Sequence, residues 1–420
     1  MIDWLQYQDH LLHAESNSLA DIAERFGTPT YVYSRAAIES AYGEFAAAAA
    51  GRRALVCYAL KANSNLAIID LLARAGAGFD IVSGGELERV IAAGADPGRV
   101  LFSGVGKTGA EMRRALEVGV RCFNVESVGE LRRLSSVAAA LGRRAPISLR
   151  VNPDIDAGSH PYISTGLREN KFGIAHDQVV AVYREAAGLP GIEIAGIDCH
   201  IGSQITEVDP FLAALDKLLD LIDSLEQAGI RLAHIDLGGG LGIRYQDEQP
   251  PARTALLEAA FNRLARHPLG RELEVMFEFG RSIVGNAGLL LTRVEYLKSN
   301  GPKHFAVVDA AMNDLLRPAL YQAYHDVVPV KQRPVGPLSY DVVGPVCESG
   351  DWLARDRLLS IEAGDLLAIL SAGAYSMVMS SNYNTRPRAE EVLVDRGTVY
   401  SVRARETIGE LYASERLLPR

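Results

Sequence analysis

The sequence predicts an α/β fold: a (β/α)8 barrel of the TIM type, joined to a second, all-β domain. Between about residue 35 and residue 283, eight short apolar runs alternate with longer stretches of helical periodicity. Eight such units in about 250 residues are typical of this barrel. From about residue 284, short apolar runs follow one another with Gly and Pro between them, the pattern of an all-β domain. A doubly wound open sheet is the alternative for the first part of the chain.

The predicted barrel elements follow from these runs. The eight strands span residues 55–60, 79–82, 100–103, 121–125, 147–151, 194–200, 234–237 and 274–278. Six helical stretches between them carry apolar residues at three- and four-residue spacing, and they span residues 66–75, 86–93, 109–118, 130–141, 210–228 and 252–266. Glycine follows several of these helices, which is a common way for a helix to end.

The second domain is predicted from shorter runs with few helices between them. They span residues 294–297, 305–308, 340–344, 366–370, 391–394 and 399–402. A strand-like segment at 30–33 precedes the barrel, and we expect it to join this domain. The predicted domains are therefore 32–283 for the barrel, and 1–31 with 284–420 for the all-β domain.

The bulk composition is that of a globular protein, with 48% hydrophobic and 23% charged residues among 420. The net charge is −9 and no basic run occurs, which disfavours nucleic acid or an anionic membrane as the main partner. Four cysteines without a Cys-x-x-Cys motif argue against disulfides and a zinc site. Cys57, Cys122 and Cys199 lie in apolar runs and are expected in the core. Neither a signal peptide nor a membrane span is evident, so a cytoplasmic protein is expected.

Polar and glycine residues gather where the predicted barrel strands end. They are Lys61, Asp80 with the following SGG (83–85), HIGSQ (200–204), GGGLG (238–242) and EFGR (278–281). Because the active sites of such barrels lie at the C-terminal ends of the strands, we expect these residues to meet around one mouth.

The glycine loop after the seventh strand indicates a phosphate site. Glycines let backbone N–H groups surround an anion, and this barrel usually binds phosphate after strands seven and eight. A lysine removed from water can attack a carbonyl, so Lys61, His200 and Glu278 beside a phosphate meet the needs of pyridoxal 5'-phosphate. Taken singly, each of these features has a structural alternative. Lys61 could extend into solvent, and His200 could be a hydrogen-bonded core histidine. Glu278 could form a salt bridge, and the glycine loop could be a tight turn without a ligand.

Ten stretches occur in an order and spacing that match one group of enzymes. They are YALKANSN, GFDIVSGGELERV, FSGVGKT, RVNPDIDAGSHPYISTGLRENKFGI, DCHIGSQ, DLGGGLGI, EFGRSIV, DAAMNDLLRPALYQAYHD, VGPVCESGD and SAGAYSMVMSSNYNTRPRAEEVLV. Over nearly its whole length, the chain resembles the alanine-racemase-like (fold type III) group of pyridoxal-phosphate enzymes, and within it the diaminopimelate decarboxylase family.

The resemblance implies pyridoxal 5'-phosphate as the cofactor. Lys61 resembles the Schiff-base lysine, His200 the imidazole that stacks on the ring, and Glu278 the acid beside the pyridine nitrogen. A carboxylate there keeps the nitrogen protonated, so that the ring accepts electron density from a carbanion. The other implied cofactor contacts are Ser203, Gly239, Gly240, Gly280, Arg281 and Tyr375.

The resemblance also implies a substrate with two amino-acid ends. Arg281, Arg317 and Tyr321 resemble the groups that hold its distal carboxylate, since a planar guanidinium binds carboxylates bidentately. Tyr375 is a further implied substrate contact. The structural alternative for Arg317, which precedes Pro318, is a surface ion pair.

Two more residues are implied to act across a subunit interface. Glu348 resembles the partner of the distal ammonium, and Cys347 a proton donor near the reacting carbon. Cys347, Lys61 and His200 are thus the implied catalytic residues. Because Cys347 and Glu348 come from the other subunit in the family, a homodimer with shared active sites is implied. Cys347 could instead be a small loop residue.

Phe279 and Ser376 depart from the family pattern, which has proline and commonly glycine at these positions. Proline fixes φ and helps to set a turn. Phe279 could therefore displace Gly280 and Arg281 and loosen the phosphate and substrate contacts.

The implied reaction is the decarboxylation of meso-2,6-diaminopimelate to L-lysine and CO2, the last step of lysine biosynthesis. A decarboxylase for ornithine, arginine or a polyamine precursor is one alternative, but Arg281 and Arg317 favour a substrate with a second carboxylate. A non-catalytic pyridoxal-phosphate-binding barrel is another, against which CESGD (347–351) and the long second domain argue. A racemase is disfavoured, since no opposing tyrosine base is evident.

Overall fold

The computed structural model describes residues 2–156, 165–166 and 169–420. Ten residues of the motif RVNPDIDAGSHPYISTGLRENKFGI, 157–164 and 167–168, lie outside the described part. The chain divides into two compact units. The barrel unit comprises Ala41–Ile243 and Gln249–Ser282, and the sheet unit comprises the residues up to Ser40, Arg244–Glu248 and Ile283–Arg420.

The N-terminal segment begins with a small antiparallel sheet that the sequence analysis did not predict. Its strands are β1 (Leu5–Gln8), β2 (Leu11–Ala14) and β3 (Asn17–Ser18). Helix α1 (Leu19–Phe26), strand β4 (Thr30–Ser34) and helix α2 (Arg35–Ala49) follow.

The barrel unit contains eight parallel strands that close on themselves. Its strands are β5 (Ala54–Ala59), β6 (Gly78–Ile81), β7 (Val100–Phe102), β8 (Cys122–Val125), β9 (Ala145–Asn152), β10 (Ile174–Ala175), β11 (Ile192–Cys199), β12 (His234–Asp236) and β13 (Glu274–Phe279). The two-residue β10 pairs only with β9, and the other eight form the ring. Pairing of β13 with β5 closes it, with Phe277 opposite Val56. The predicted (β/α)8 barrel is confirmed, and the open doubly wound sheet is excluded.

Helices alternate with the barrel strands. They are α3 (Leu66–Arg74), α4 (Gly84–Ala92), α5 (Gly109–Val118), α6 (Val128–Leu141), α7 (Val179–Gly188), α8 (Asp209–Gln227), α9 (Arg253–Arg266) and the short α10 (Arg281–Val284). All six predicted helices are present, and α7 and the short α10 were not predicted. Four helices start where a side-chain oxygen accepts a backbone N–H of the first turn, at Asn65, Ser83, Thr108 and Ser127.

The sheet unit is mainly β. Its later strands are β14 (Gly288–Asn300), β15 (Lys303–Val308), β16 (Val327–Pro329), β17 (Leu338–Val343), β18 (Trp352–Leu359), β19 (Leu366–Ile369), β20 (Glu390–Asp395) and β21 (Thr398–Arg403). β4 pairs with β14 antiparallel and with β20 parallel, which confirms that residues 30–33 join this domain. Strands β16 and β18 were not predicted. The unit also contains helices α1, α11 (Arg317–Tyr321) and α12 (Ile408–Tyr412), so it is not purely β.

Each unit buries its own apolar residues. In the sheet unit, Val32 of β4 packs in one cluster with Leu291 of β14 and Val392 of β20. In the barrel, Cys57 and Cys122 lie in a buried cluster with leucine and methionine side chains, and Cys199 is buried as well, as predicted. Within the described part of the chain, no helix combines the length and the apolar character that crossing a membrane requires.

Candidate active site

Lys61 lies in a short 3₁₀ turn, Leu60–Ala62, directly after β5. Its Nζ lies 2.7 Å from Oδ2 of Asp80 on the adjacent strand β6. The Lys61 side chain is 30% exposed, whereas that of Asp80 is fully buried. Asp80 Oδ1 accepts no hydrogen bond from any residue that the structure describes. A buried carboxylate therefore holds the amine at the strand end, unlike a lysine that merely extends into solvent.

His200 follows β11 and is half-buried. Its Nδ1 accepts the backbone N–H of Gly239 at 3.1 Å, and its carbonyl accepts the Thr165 hydroxyl at 2.8 Å. Burial lowers the pKa of His200 well below its usual value, and the positive charges of Lys61 and Arg150 lower it further. The ring is thus neutral at pH 7 with its proton on Nε2, which suits an imidazole that stacks on a second ring.

Arg281 and Ser203 connect the loops that follow β13 and β11. Nη2 of Arg281 donates to Oγ of Ser203 at 2.9 Å, and Nε donates to the same oxygen at 3.3 Å. Arg281 is buried, although it belongs to the short helix at the strand end. Two of the predicted phosphate contacts are therefore in direct contact.

The glycine loop after β12 approaches its neighbours too closely for side chains. A Cβ at Gly239 would lie 1.9 Å from the Glu278 carbonyl oxygen, and one at Gly240 would lie 2.3 Å from the Gly202 oxygen. Gly240 also has φ +109°, which disfavours other residues. Its N–H donates to none of the described residues. A Cβ at Gly280 would lie 2.9 Å from Cβ of Ala62, beside Lys61. Such a loop fits a phosphate group.

Glu278 lies near the end of β13 and is buried. Its Oε1 accepts from Nδ2 of Asn124 at 3.2 Å and from Oγ of Ser103 at 3.3 Å. Burial raises the pKa of Glu278 well above its usual value, and the charges of Asp236, Asp80 and Asp198 raise it further, while Lys61 opposes them. The carboxylate form therefore needs a positive partner, which fits a protonated pyridine nitrogen.

Phe279 does not face the same side of β13 as Glu278, because successive side chains of a strand point to opposite faces. Its ring stacks on Phe45 of α2 with centroids 4.0 Å apart, and on Phe277 at 5.6 Å. Phe279 therefore packs outside the strands, while Gly280 still approaches Ala62 and Arg281 still reaches Ser203.

The sheet unit holds the other predicted site residues. Arg317 on α11 is buried, with Nη1 3.0 Å from Nε2 of His325 and its guanidinium 4.7 Å from the centre of the Tyr245 ring. Arg317 is therefore not a surface residue. Tyr321, at the end of the same helix, is half-buried.

Cys347 and Glu348 are exposed in the isolated chain. The Cys347 backbone N–H donates to Oδ1 of Asn384 at 3.1 Å. A hydrogen bond to Glu348 raises the pKa of Tyr383. Both predicted side chains therefore lie on an exposed loop of the sheet unit.

Tyr375 and Ser376 lie in a bend of the sheet unit. Tyr375 is half-buried and has φ +55°, a conformation uncommon for a non-glycine residue. Ser376 has φ −111° and is buried, so its backbone does not require the glycine common in the family.

Sequence reasoning missed the role of several buried polar residues in the barrel. The sequence pointed to Asp80 but did not indicate that it pairs with Lys61. It gave no role to Asp198, Asp236 or Asn124. Asp198 and Asp236 are single acids within the apolar runs GIDCH and HIDLGG. A buried acid in a strand needs a partner, and that signal could have found both.

Comparison with known proteins agrees with this geometry. The family described as "Pyridoxal-dependent decarboxylase, pyridoxal binding domain" matches residues 35–285. A diaminopimelate decarboxylase of Pseudomonas aeruginosa is 63% identical over 418 residues, which cover 100% of both chains. A diaminopimelate decarboxylase of M. jannaschii solved with L-lysine is 36% identical, with a TM-score of 0.94 over 100% of this chain and 99% of that one. The Helicobacter pylori enzyme, also solved with L-lysine, is 41% identical, with a TM-score of 0.90 over 94% and 99%. The chain therefore belongs to the pyridoxal-dependent decarboxylases, and among them to the diaminopimelate decarboxylase family.

Proposed function

We propose that the chain decarboxylates meso-2,6-diaminopimelate to L-lysine and CO2, the last step of lysine biosynthesis. The observation that carries the proposal is the Lys61–Asp80 pair at the mouth of the barrel. It provides an amine held in place at the strand end, in a chain that is 63% identical to a diaminopimelate decarboxylase over its full length.

The barrel residues fit pyridoxal 5'-phosphate. Lys61 would attach it, His200 would lie against its ring, and Glu278 would face its pyridine nitrogen. The remaining contacts would come from Ser203, Gly239, Gly240, Gly280, Arg281 and Tyr375. When bound, the cofactor supplies an electron sink for the carbanion that loss of CO2 leaves.

The proposed roles of the chain's own side chains follow from their charges. Asp80 holds the Lys61 ammonium while that amine is not attached, and so keeps a proton available at Nζ. The thiol of Cys347 is the second candidate donor of a proton to the reacting carbon, and Glu348 would pair with the distal ammonium.

Substrate choice depends on the distal end. Arg281, Arg317 and Tyr321 would bind a second carboxylate, and a guanidinium does so in bidentate fashion. Ornithine and lysine lack that second carboxylate and would not make these contacts. A substrate that is both a diamine and a dicarboxylate is therefore favoured.

The organisation of the chain is part of the proposal. The cofactor-binding domain lies within residues 32–283, and residues 1–31 with 284–420 belong to the mainly β domain. The fold adds residues 32–40 and Arg244–Glu248 to the mainly β domain. The active assembly is a homodimer in which each subunit contributes Cys347 and Glu348 to its partner's site. The four free cysteines fit a reducing compartment, so we propose the cytoplasm.

The experiment compares the wild type with Lys61→Ala and, as a matched control, with Lys298→Ala on an exposed part of β14. Each protein is supplied with pyridoxal 5'-phosphate, and lysine and CO2 are measured from meso-diaminopimelate, with ornithine, arginine and lysine as competing substrates. We expect the wild type and Lys298→Ala to form lysine. Lys61→Ala should lose roughly a thousandfold or more in rate, together with the absorption band of the lysine-attached cofactor.

Two results would contradict the proposal. A wild type that binds the cofactor but forms no lysine, or that prefers ornithine, excludes the proposed reaction. An absorption band that persists in Lys61→Ala removes Lys61 from its role.

A further inference from the structure

Three buried carboxyl groups converge inside the barrel from neighbouring strands. They belong to Asp198 on β11, Asp236 on β12 and Glu278 on β13. One oxygen from each lies within 4.8 Å of the others. Their exposures are only 1%, 0% and 4%, so little water reaches them. Like charges this close in a medium of low dielectric cannot all be ionised.

The hydrogen bonds of the cluster leave acceptors unused. Oδ1 of Asp236 accepts the backbone N–H of Gly238 at 2.9 Å. Oδ2 of Asp236 and Oδ1 of Asp198 accept from no group in the described part of the chain. A buried oxygen without a donor is costly. A proton on one carboxyl, donated to its neighbour, would satisfy such an oxygen and relieve the repulsion.

We infer that Asp236 is a positioning residue for the reaction. Oδ2 of Asp236 shares a proton with Glu278, and Oδ1 of Asp236 holds Gly238 at the start of the glycine loop. Asp236 thereby couples the charge beside the ring nitrogen to the loop that would hold the phosphate. The inference rests on the proposed placement of Glu278 against that nitrogen.

Other titratable groups surround the cluster on every side. They are Cys57 on β5, Lys61, Asp80 on β6, Cys122 on β8, Glu126, Arg150 on β9 and Cys199 on β11. Arg150 is paired with Glu126 at 2.8 Å, so its charge is already balanced. Burial raises the pKa of Asp236 to about 7; the Gly238 N–H opposes this shift and Asp80 adds to it. The proton therefore remains in the cluster at pH values where exposed carboxyl groups have lost theirs.

Three variants separate the two roles of Asp236. Asp236→Asn keeps an oxygen for the Gly238 N–H but removes the acid, and Asp236→Ala removes both. Asp220→Asn, an exposed acid on α8, is the matched control.

The first measurement uses the protein without cofactor. The infrared carbonyl stretch of a protonated carboxyl group, recorded near pH 6, should weaken in Asp236→Asn and remain unchanged in Asp220→Asn. This readout does not depend on substrate turnover. A wild type that formed no lysine would refute the proposed reaction and leave the shared proton intact.

The second measurement uses the protein with pyridoxal 5'-phosphate. Loss of a negative charge near the ring nitrogen should move the pH midpoint of the cofactor absorption band down by about one unit in Asp236→Asn. We also expect kcat to fall by about tenfold with KM unchanged, because the ring nitrogen would lose negative charge that stabilises its protonated form. Asp236→Ala should also bind the cofactor more weakly than Asp236→Asn, because the loop loses its anchor.

Three outcomes would overturn the inference. One is an infrared band and an absorption midpoint that are the same in Asp236→Asn and the wild type. Another is an equal cofactor affinity in the Asn and Ala variants; if the Ala variant does not fold, the Asn variant alone decides through the first two readouts. The last is a rise in Tm with calcium or magnesium in the wild type but not in Asp236→Asn, which would place a cation where we infer a proton.

Discussion

Glu278 and Phe279 show how much one residue step along a strand decides. Glu278 points into a polar barrel interior, and Phe279 points into the layer between strands and helices, where it is 1% exposed. The sequence could show that phenylalanine replaces proline in the family motif. It could not show that Phe45, more than two hundred residues earlier, offers a ring for it to stack on.

Phe279 should therefore stabilise the barrel instead of disturbing it. Phe279→Ala should lower the free energy of unfolding by about 3–5 kcal/mol, because it removes a fully buried ring and leaves a cavity. Tyr296→Ala, at a position 69% exposed, is the control and should change it by about 0.5 kcal/mol or less. Urea unfolding measures both. Equal losses in the two variants would contradict the packing described for Phe279.

His234 is a second residue whose role depends on its surroundings. Its Nε2 lies 2.7 Å from Oγ of Ser148, and Gly196 leaves room for its ring. Burial, with a smaller contribution from the charge of Arg121, lowers the pKa of His234 from 6.5 to about 4. Between these values the unfolded chain binds a proton that the folded chain does not, so stability falls as the pH falls.

His234→Gln should remove this dependence on pH. As the pH falls from about 6.5 to about 4, His234 should cost the wild type about 3 kcal/mol of unfolding free energy. The loss in the variant over the same range should be smaller than that of the wild type by about 3 kcal/mol. Urea unfolding at several pH values is the measurement, with the exposed His10→Gln as the control. If plots of unfolding free energy against pH run parallel for the wild type and His234→Gln, His234 is not buried in its neutral form.

At the scale of elements, local signals located the strands and helices well, but their ends depended on contacts. The run 55–60 was predicted as one strand, yet β5 ends at Ala59 and Leu60 begins the turn that carries Lys61. The glycine loop was found from its motif and its place after the seventh predicted strand. Its conformation depends on the backbones of Glu278 and Gly202, which periodicity cannot supply.

The glycine loop gives a test at this scale. In Gly239→Ala, the new Cβ would overlap the Glu278 carbonyl, so the loop must shift. We expect affinity for pyridoxal 5'-phosphate to fall by about tenfold or more, which corresponds to about 1.4 kcal/mol or more. Gly43→Ala on α2, where nothing lies within 4 Å of the added carbon, is the control and should keep the affinity. Fluorescence titration with the cofactor measures it, and an unchanged affinity in Gly239→Ala would contradict the proposed cradle.

At the scale of the whole molecule, the chain crosses between units more than once. β4 lies before the barrel in sequence but pairs with β14 and β20 of the sheet unit. The segment Arg244–Glu248 also joins the sheet unit, where Tyr245 lies under the guanidinium of Arg317. Such pairings join residues far apart in the chain, and local pattern carries little information about them.

The proposed shared site predicts complementation. Lys61→Ala and Cys347→Ala homodimers should each be at least about a hundredfold less active than the wild type. If each site takes Lys61 from one chain and Cys347 from the other, heterodimers contain one complete site. A mixture refolded together should then recover about a quarter of wild-type activity, assuming random pairing.

The control for this mixture pairs Lys61→Ala with the double variant that lacks both residues, which forms no complete site. Lysine production and the fraction of heterodimer, separated by a charge tag, are measured together. No recovery despite abundant heterodimer would contradict the shared site.

The sequence by itself determined the barrel, the mainly β domain, the cofactor class and the location of Lys61, His200 and the glycine loop. These follow from periodicity, from the residues that lie directly after each strand and from motifs of fixed spacing, all of which are local properties of the sequence. The tertiary structure decided the pairing of Lys61 with Asp80, the packing of Phe279 and the cluster of Asp198, Asp236 and Glu278. Those features depend on which side chains from distant strands share a buried volume, and burial sets both their charge and their partners.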